Sequence, residues 1–300
     1  MAALKAFFAV PTLAIIALAS AAGGADPALV FSGEDGTTWD LWRRADGAVA
    51  RMTVQLDADS PATATDGRLA FADASGTVWV RALDGKLTAV TGMPTPCAHP
   101  AWSPDGQQLV VACFRFNNRQ DDGALWLADL ESGAARLLYD GPGLQKSPAW
   151  SPDGQRLAFV SGFRLTPTRV IEQIWVLELA GGTARRLIEG EAAAVNPAWS
   201  PDGKRLAYAS DRGDTLDIWV MDLSEGRQLQ LTHDPAYDDD PTWSPDGETL
   251  AFQSTRGGEL EIWSIPASGG TARRLVAAGE SGLRSARSPH WPVQQQEEAR

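Results

Sequence analysis

The sequence is poor in the residues that most often carry chemistry. It has two cysteines and three histidines among its 300 residues. No two histidines have metal-ligand spacing, and no His-Glu-x-x-His or Cys-x-x-Cys pattern occurs. The Gly-x-Ser-x-Gly turn of many hydrolases and the Gly-x-x-x-x-Gly-Lys phosphate loop are also missing. These absences predict a protein without a bound metal, a cofactor or catalytic residues.

Positive charge is scarce as well. The formal net charge is −12, and no run of lysine and arginine is longer than two residues. An acidic surface repels phosphate backbones and anionic lipid head groups. We therefore expect neither nucleic-acid binding nor docking on anionic membranes.

The one apolar run near the N-terminus is short. It extends from Phe7 to Ala19 and follows the single positive charge of Lys5. Ala19-Ser20-Ala21 then supplies small residues at the −3 and −1 positions of a signal peptidase site. The run is too short for a comfortable membrane span. The sequence predicts a signal peptide over 1–21, with no stable membrane insertion after cleavage. Its alanine- and arginine-rich composition favours a bacterial protein, periplasmic or secreted, which we expect to be a monomer.

What the sequence has in abundance is one repeated motif, Pro-Ala-Trp-Ser-Pro-Asp-Gly or a close variant. The full, degenerate and truncated copies begin at Pro61, Pro100, Pro148, Pro197, Pro241 and Pro289. The period is therefore about 45 residues. Ser-Pro-Asp-Gly suits a type I turn, with proline at the second position and glycine at the fourth. Each copy predicts a strand, a tight turn and a second strand.

A further tryptophan marks a third strand in every unit, and a fourth strand follows a glycine turn. Five first-strand and six third-strand positions place eleven of the twelve tryptophans, leaving Trp39 over. Four short antiparallel strands at this period make one propeller blade. The tryptophans are predicted to fill the seams between blades.

The predicted fold is all-β, a six-bladed β-propeller of four-stranded antiparallel blades over 22–293. A C-terminal strand at Pro289-His290-Trp291 is expected to complete the first blade, because that blade lacks its own first strand. The predicted blades cover about 28–56 plus 287–293, 57–95, 96–142, 143–191, 192–235 and 236–280. The tail over 294–300 is polar.

The two cysteines fall in one predicted hairpin. If the chain turns at 103–107, Cys97 and Cys113 face each other across two strands. A disulfide there would close a loop of about 15 residues. Two reduced, buried thiols are the alternative.

Several segments resemble the repeat of TolB-like propellers. The likeness is strongest over Pro197–Arg212, followed by Asp217–Asp222 and Leu231-Thr232, and it covers roughly 28–293. The resemblance implies a periplasmic propeller that binds a lipoprotein such as Pal at its channel mouth. TolB has an α/β domain before its propeller, whereas here the predicted signal peptide leads directly into the first blade. That domain's role therefore does not transfer.

Topology brings the candidate binding residues to one face. Loops that enter first strands and loops that join second to third strands open on the same side of a blade. The candidates at this channel mouth are His99, Lys146, Asn196, Arg212, Asp239, Asp240, Arg256 and Ser288. The longest such loops are predicted over Phe116–Gly123 and Gly162–Glu172, where recognition is expected. Alternatively, Arg212 and Arg256 form ion pairs between blades, and Asp238–Asp240 is a solvated loop.

These observations predict a non-catalytic periplasmic binding propeller that docks a protein or peptide of the cell envelope. One alternative is an enzyme, a lyase or hydrolase acting on envelope glycan or peptide in the central pocket. A second alternative is a carbohydrate-binding propeller, for which Trp39 is the one tryptophan left free.

Overall fold

The computed structural model describes residues 28–117, 120–166, 169–213 and 215–291. Within these ranges the regular structure is β-strand apart from one turn of 3-10 helix at Glu280–Gly282. No helix of the described part is long and apolar enough to cross a membrane. The predicted signal peptide over 1–21 and the polar tail over 294–300 lie outside the described residues.

Strands from the two ends of the chain share one sheet. In hydrogen-bonded order the sheet contains β24 (Ser285–His290), β1 (Leu29–Glu34), β2 (Trp39–Ala45) and β3 (Ala48–Arg51). β24 pairs antiparallel with β1, and His290 lies opposite Val30. The expected closing strand is therefore present, and it links the beginning of the chain to its end.

Three more sheets have four strands each, paired in chain order. One contains β4 (Asp59–Thr63), β5 (Leu69–Ala72), β6 (Val78–Arg81) and β7 (Leu87–Ala89). Another contains β16 (Ala194–Trp199), β17 (Arg205–Ser210), β18 (Asp217–Asp222) and β19 (Gln228–Gln230). The third contains β20 (Asp238–Trp243), β21 (Thr249–Ser254), β22 (Glu261–Pro266) and β23 (Arg273–Val276).

The prediction of six four-stranded blades is wrong, because four sheets are separate and the other eight strands form a single sheet. That sheet contains β8 (Cys97–Trp102), β9 (Gln108–Asn117), β10 (Gln120–Asp129), β11 (Ala135–Tyr139), β12 (Leu144–Trp150), β13 (Arg156–Thr166), β14 (Arg169–Glu178) and β15 (Thr183–Arg186). Its two halves join where β10 and β12 pair in parallel at Gly123 and Leu144. A Cβ at Gly123 would lie 3.0 Å from Leu144 and 3.2 Å from the Gln145 carbonyl oxygen. Glycine therefore permits the close approach that merges the halves.

The two segments predicted as long recognition loops are mostly strand, so that prediction is wrong. The described parts of 116–123 continue the ladder between β9 and β10. The described parts of 162–172 continue the ladder between β13 and β14, with Phe163 opposite Ile171. The strands of these two hairpins have 10 or 11 residues, whereas no strand of the other sheets has more than 7.

Four first-strand tryptophans link neighbouring repeats, in line with the seam position predicted for them. The indole Nε1 groups of four first-strand tryptophans donate over 3.0–3.2 Å to a carbonyl of the preceding innermost strand. The pairs are Trp102 with Ala62, Trp150 with Ala101, Trp199 with Ala149, and Trp243 with Ala198. The innermost strands β4, β8, β12, β16, β20 and β24 thus follow one another around a common axis.

Candidate functional site

A cavity of about 550 Å³ lies at the centre of the ring and is lined by the six innermost strands. Repeated prolines, alanines and first-strand tryptophans form much of its wall, so most of the wall is apolar. Polar and charged side chains gather toward one end. This combination of an apolar wall and a few placed polar groups is typical of binding pockets.

Each innermost strand is interrupted by a bulge immediately before its repeated proline. The pairing register shifts there, for example between Asp239 and Thr242. Proline lacks an N–H donor, so it cannot continue the ladder, and a bulge re-aims the residue before it. The re-aimed residues all have φ between +49° and +56°. They are Ser60, His99, Ser147, Asn196, Asp240 and Ser288, which we call the bulge ring.

The bulge ring brings together four of the predicted site residues, His99, Asn196, Asp240 and Ser288, and all four line the cavity. The end of the cavity at this ring is called the mouth below. Sequence reasoning missed Ser60 and Ser147, although both precede the same repeated proline. Position in the repeat, applied to every copy, would have found them.

A chain of hydrogen bonds crosses one side of the mouth. Ser147 Oγ donates to Asn196 Oδ1 over 2.8 Å, and Asn196 Nδ2 donates to Asp239 Oδ1 over 2.9 Å. Tyr237 Oη donates to the other oxygen of Asp239 over 2.8 Å. The predicted residues Asn196 and Asp239 are therefore in direct contact. Tyr237, which the sequence did not indicate, completes the chain and stays 44% exposed.

Two neighbouring carboxyls give the mouth its electrostatic character. Burial raises the pKa of Asp239, although bonds from Asn196 and Tyr237 favour its ionised form. Burial and then the charge of Asp239 raise the pKa of Asp240, while the Ser288 side chain favours its ionised form. Asp240 keeps some exposure, since it faces the open cavity. The pair is thus costly to ionise and lies where an incoming cation would relieve it.

Both histidines of the cavity are held neutral. Burial lowers the pKa of His99 and of His290 to about 4. The Thr63 N–H donates to His290 Nδ1 over 3.3 Å. His99 Nδ1 is buried and has no hydrogen-bond partner among the described residues. At neutral pH the imidazoles therefore offer polar atoms but no positive charge.

An ion pair that the sequence did not indicate lies on the opposite side of the mouth. Arg287 donates two hydrogen bonds to Asp59, over 2.9 and 3.2 Å. The Arg287 Cζ atom also lies 3.8 Å from the centre of the Trp39 ring. One ring face of Trp39, the tryptophan that the carbohydrate-binding alternative left free, is thus covered by a guanidinium group. Asp59 and Arg287 each come directly before a residue of the bulge ring, on β4 and β24. These two strands are neighbours because the ring closes between them.

Lys146 lies beside the mouth rather than in the cavity wall. Its Nζ is 2.7 Å from Glu172 Oε1, on the β13–β14 hairpin. Its charge favours the ionised form of Asp239 and the neutral form of His99. Lys146 therefore belongs to the electrostatic surroundings of the predicted site.

The structure places Arg212 and Arg256 away from the cavity wall. Arg212 is exposed, lies over the Trp219 ring at 5.1 Å and bonds to Gln228. Arg256 donates to Asp238 over 2.6 Å and pairs with Asp234 at 2.7 Å. Both arginines therefore make contacts outside the bulge ring. The solvated loop considered for Asp238–Asp240 is instead the start of β20, because all three residues pair or bulge within the sheet.

Cys97 and Cys113 lie opposite each other across β8 and β9 and form a disulfide of 2.04 Å. Both are buried. The alternative of two reduced thiols is not what the structure contains. In the described ranges no group of three or more histidine, cysteine or acidic side chains could hold a metal ion.

Antiparallel sheets arranged around a central cavity, with innermost strands that follow one another about the axis, define a β-propeller. The family model of the TolB beta propeller domain matches residues 44–194 and 168–293 of the sequence. The chain belongs to this family of TolB-type propellers. A search of the curated proteins found no match to the sequence.

Solved structures share the fold at low sequence identity. TolB from Acinetobacter baumannii is 18% identical, with a TM-score of 0.76 over 89% of this chain and 67% of that one. A candidate TolB from Agrobacterium tumefaciens is 20% identical, with a TM-score of 0.68 over 84% and 89%. An oligogalacturonate lyase in complex with manganese is 16% identical, with a TM-score of 0.61 over 84% and 74%. At these identities the similarity concerns the fold alone.

Proposed function

We propose that the protein is a non-catalytic binding module of the bacterial periplasm that docks a segment of an envelope protein at the mouth of the central cavity. The observation that carries this proposal is the bulge ring with its adjoining carboxyls. Each of six repeats places a residue of the bulge ring at this end of the cavity. The two cations whose charge favours ionised Asp239 and Asp240, Lys146 and Arg287, form their ion pairs with Glu172 and Asp59 instead. Such a site favours a segment with an apolar stem and a basic group.

Membership of the TolB-type propellers and the predicted signal peptide support an envelope location. By the resemblance described above, a Pal-like lipoprotein is the first partner to test. A cavity with a rigid rim and an apolar wall also lowers the cost of binding such a segment, because little ordering entropy is lost by the receptor.

The histidine chemistry argues against an imidazole general base in the cavity. A general base works best when its pKa is near the working pH. Burial holds both cavity imidazoles near pKa 4, so each is a weak base at pH 7. A lyase or hydrolase acting on envelope glycan or peptide is the competing proposal. The observation in its favour is the fold similarity to an oligogalacturonate lyase.

Site-specific photo-crosslinking tests the proposal. A photoreactive residue at Ser288, in the bulge ring, is expected to capture an envelope protein in living cells. The matched control carries the same residue at Asp246, in the Ser-Pro-Asp-Gly turn at the far end of β20. Added Asp240→Asn should weaken capture from Ser288. Capture from Asp246 alone would contradict the proposed face, and turnover of glycan or peptide that is lost in His99→Gln would favour the enzyme.

A further inference from the structure

Three first-strand tryptophans carry an arginine over the ring. The arginines come one or two residues after the turn glycine of the preceding repeat. The Cζ-to-ring distances are 4.7 Å for Arg68 over Trp102, 4.6 Å for Arg156 over Trp199, and 4.5 Å for Arg205 over Trp243. A guanidinium stacked on indole is a favourable cation–π arrangement.

The seam at Trp150 departs from this pattern. Glutamine, Gln108, occupies the place of the arginine, two residues after the turn glycine Gly106. Its Nε2 lies 3.5 Å from Asp129 Oδ2. No arginine or lysine of the described part of the chain is found over Trp150. The Trp150 side chain stays partly exposed, whereas Trp199 is only 8% exposed.

The missing arginine coincides with a cavity of about 530 Å³, which we call the seam cavity. It lies between the two halves of the eight-stranded sheet, at the turn end of β12 and far from the mouth. The ring of Trp150 and four leucines, Leu127, Leu138, Leu177 and Leu179, supply its apolar lining. The carboxyl-bearing turn residues Asp105 and Asp153 supply its negative charge.

The seam cavity also keeps the acceptor that arginine uses in two of the other seams. Arg205 Nη2 donates to the Gly247 carbonyl over 2.9 Å, and Arg68 Nη2 donates to the Gly106 carbonyl over 2.5 Å. The equivalent glycine after Trp150 is Gly154, which lines the seam cavity. Arg136 also lines the cavity with an exposed side chain, and no contact of its guanidinium with the Trp150 ring is found among the described residues.

We propose that the seam cavity binds a guanidinium group supplied by another molecule. The guanidinium stacks on Trp150, donates to the Gly154 carbonyl and is neutralised by Asp105 and Asp153. Its source is either an arginine side chain of a peptide or a small guanidinium compound. The site is separate from the mouth, so it does not depend on the function proposed above.

Calorimetric titration of the whole protein with acetyl-arginine methylamide tests the site. The matched control ligand is acetyl-citrulline methylamide, which has nearly the same shape and no charge. We expect the arginine compound to bind about fivefold more tightly than the citrulline compound, the size of an accessible cation–π contact. Equal affinity for both ligands would overturn the proposal.

Two variants fix the location. Gln108→Arg restores the internal arginine and should abolish binding, while Gln108→Ala should keep it. Unchanged binding in Gln108→Arg, with circular dichroism showing an intact fold, would also overturn the proposal. The peptide acetyl-Ala-Arg-Ala-amide distinguishes the sources: tighter binding than the single residue indicates a polypeptide ligand, and equal binding indicates a small compound.

The reciprocal variant makes the same argument at another seam. Arg156→Gln removes the arginine over Trp199 and should create a second site for the arginine compound. The stoichiometry is then expected to rise from one to two. A stoichiometry that stays at one would show that an uncovered tryptophan at a seam is not sufficient, and the assignment would fail.

Discussion

The two ends of the innermost strands differ in whether they stabilise the ionised or the neutral form of a carboxyl group. At the turn end, Ser151 Oγ donates to Asp153 over 2.5 Å and accepts from the Arg156 N–H over 2.9 Å. The bond from Ser151 holds the pKa of Asp153 below its usual value. At the mouth, burial instead raises the pKa of Asp239 and Asp240. One end favours ionised carboxyls and the other disfavours them.

This difference indicates a division of labour along each innermost strand. Satisfied turns and tryptophan anchors at the turn end stabilise the ring. At the mouth, burial raises the pKa of Asp239 and Asp240, so ionising them lowers the stability of the folded chain. Sites that break the local rules of stability are where function is expected. The following predictions test whether the two ends separate in this way.

The largest effect should come from removing an anchor at the turn end. Trp243→Ala deletes a ring that is 5% exposed and bonded to Ala198. We expect the free energy of unfolding to fall by about 3–5 kcal/mol, measured by urea denaturation. Trp39→Ala near the mouth removes a ring that is only partly buried, and should cost about 1 kcal/mol. Equal losses in the two variants would erase the proposed contrast.

A smaller effect of opposite sign is expected at the mouth. Because the folded state raises the pKa of Asp240 above 3.8, wild-type stability falls as the pH rises through the raised pKa. Asp240→Asn removes that penalty. It should raise the free energy of unfolding by about 1–2 kcal/mol at pH 8, and the gain should shrink toward pH 4.

Urea denaturation of both proteins at pH 8, 6 and 4 measures this gain. Asp153→Asn is the control, because the folded state lowers the pKa of that carboxyl. It should destabilise the protein at pH 8. If Asp240→Asn lowers the free energy of unfolding at every pH, the carboxyl group of Asp240 stabilises the fold, and the mouth does not lower the stability of the protein.

The sequence predicts the local features of the repeat, but it does not predict how strands of different repeats pair. The Ser-Pro-Asp-Gly turns and the tryptophan seams follow from local chemistry that repeats, so counting along the chain locates them. The eight-stranded sheet does not follow, because it depends on the absent side chain at Gly123 and its fit to Leu144. Strand pairing across repeats is a tertiary contact with no periodic signal.

The mouth was predictable only in part, for a related reason. Residues before the repeated prolines share one backbone conformation, and the repeat locates them. Arg212 and Arg256 were placed there by counting, yet neighbouring rings and carboxyls such as Asp238 hold them elsewhere. Arg287 and Asp59 meet through closure of the ring. Side-chain direction therefore depended on partners that lie far away in the sequence.

The smallest expected effect compares two serines in equivalent strands. Ser151 makes the two turn bonds described above, so Ser151→Ala leaves the Arg156 N–H without its acceptor and should cost about 1 kcal/mol. Ser288 lies in the bulge ring, and its side chain favours the ionised form of Asp240. Ser288→Ala should therefore cost less than about 0.5 kcal/mol at pH 5, where Asp240 is largely protonated, and more at pH 8. A pH-independent loss at Ser288 equal to that at Ser151 would mean that the mouth is held together by the same neutral bonding as the turns, and the buried acids would no longer distinguish the two ends.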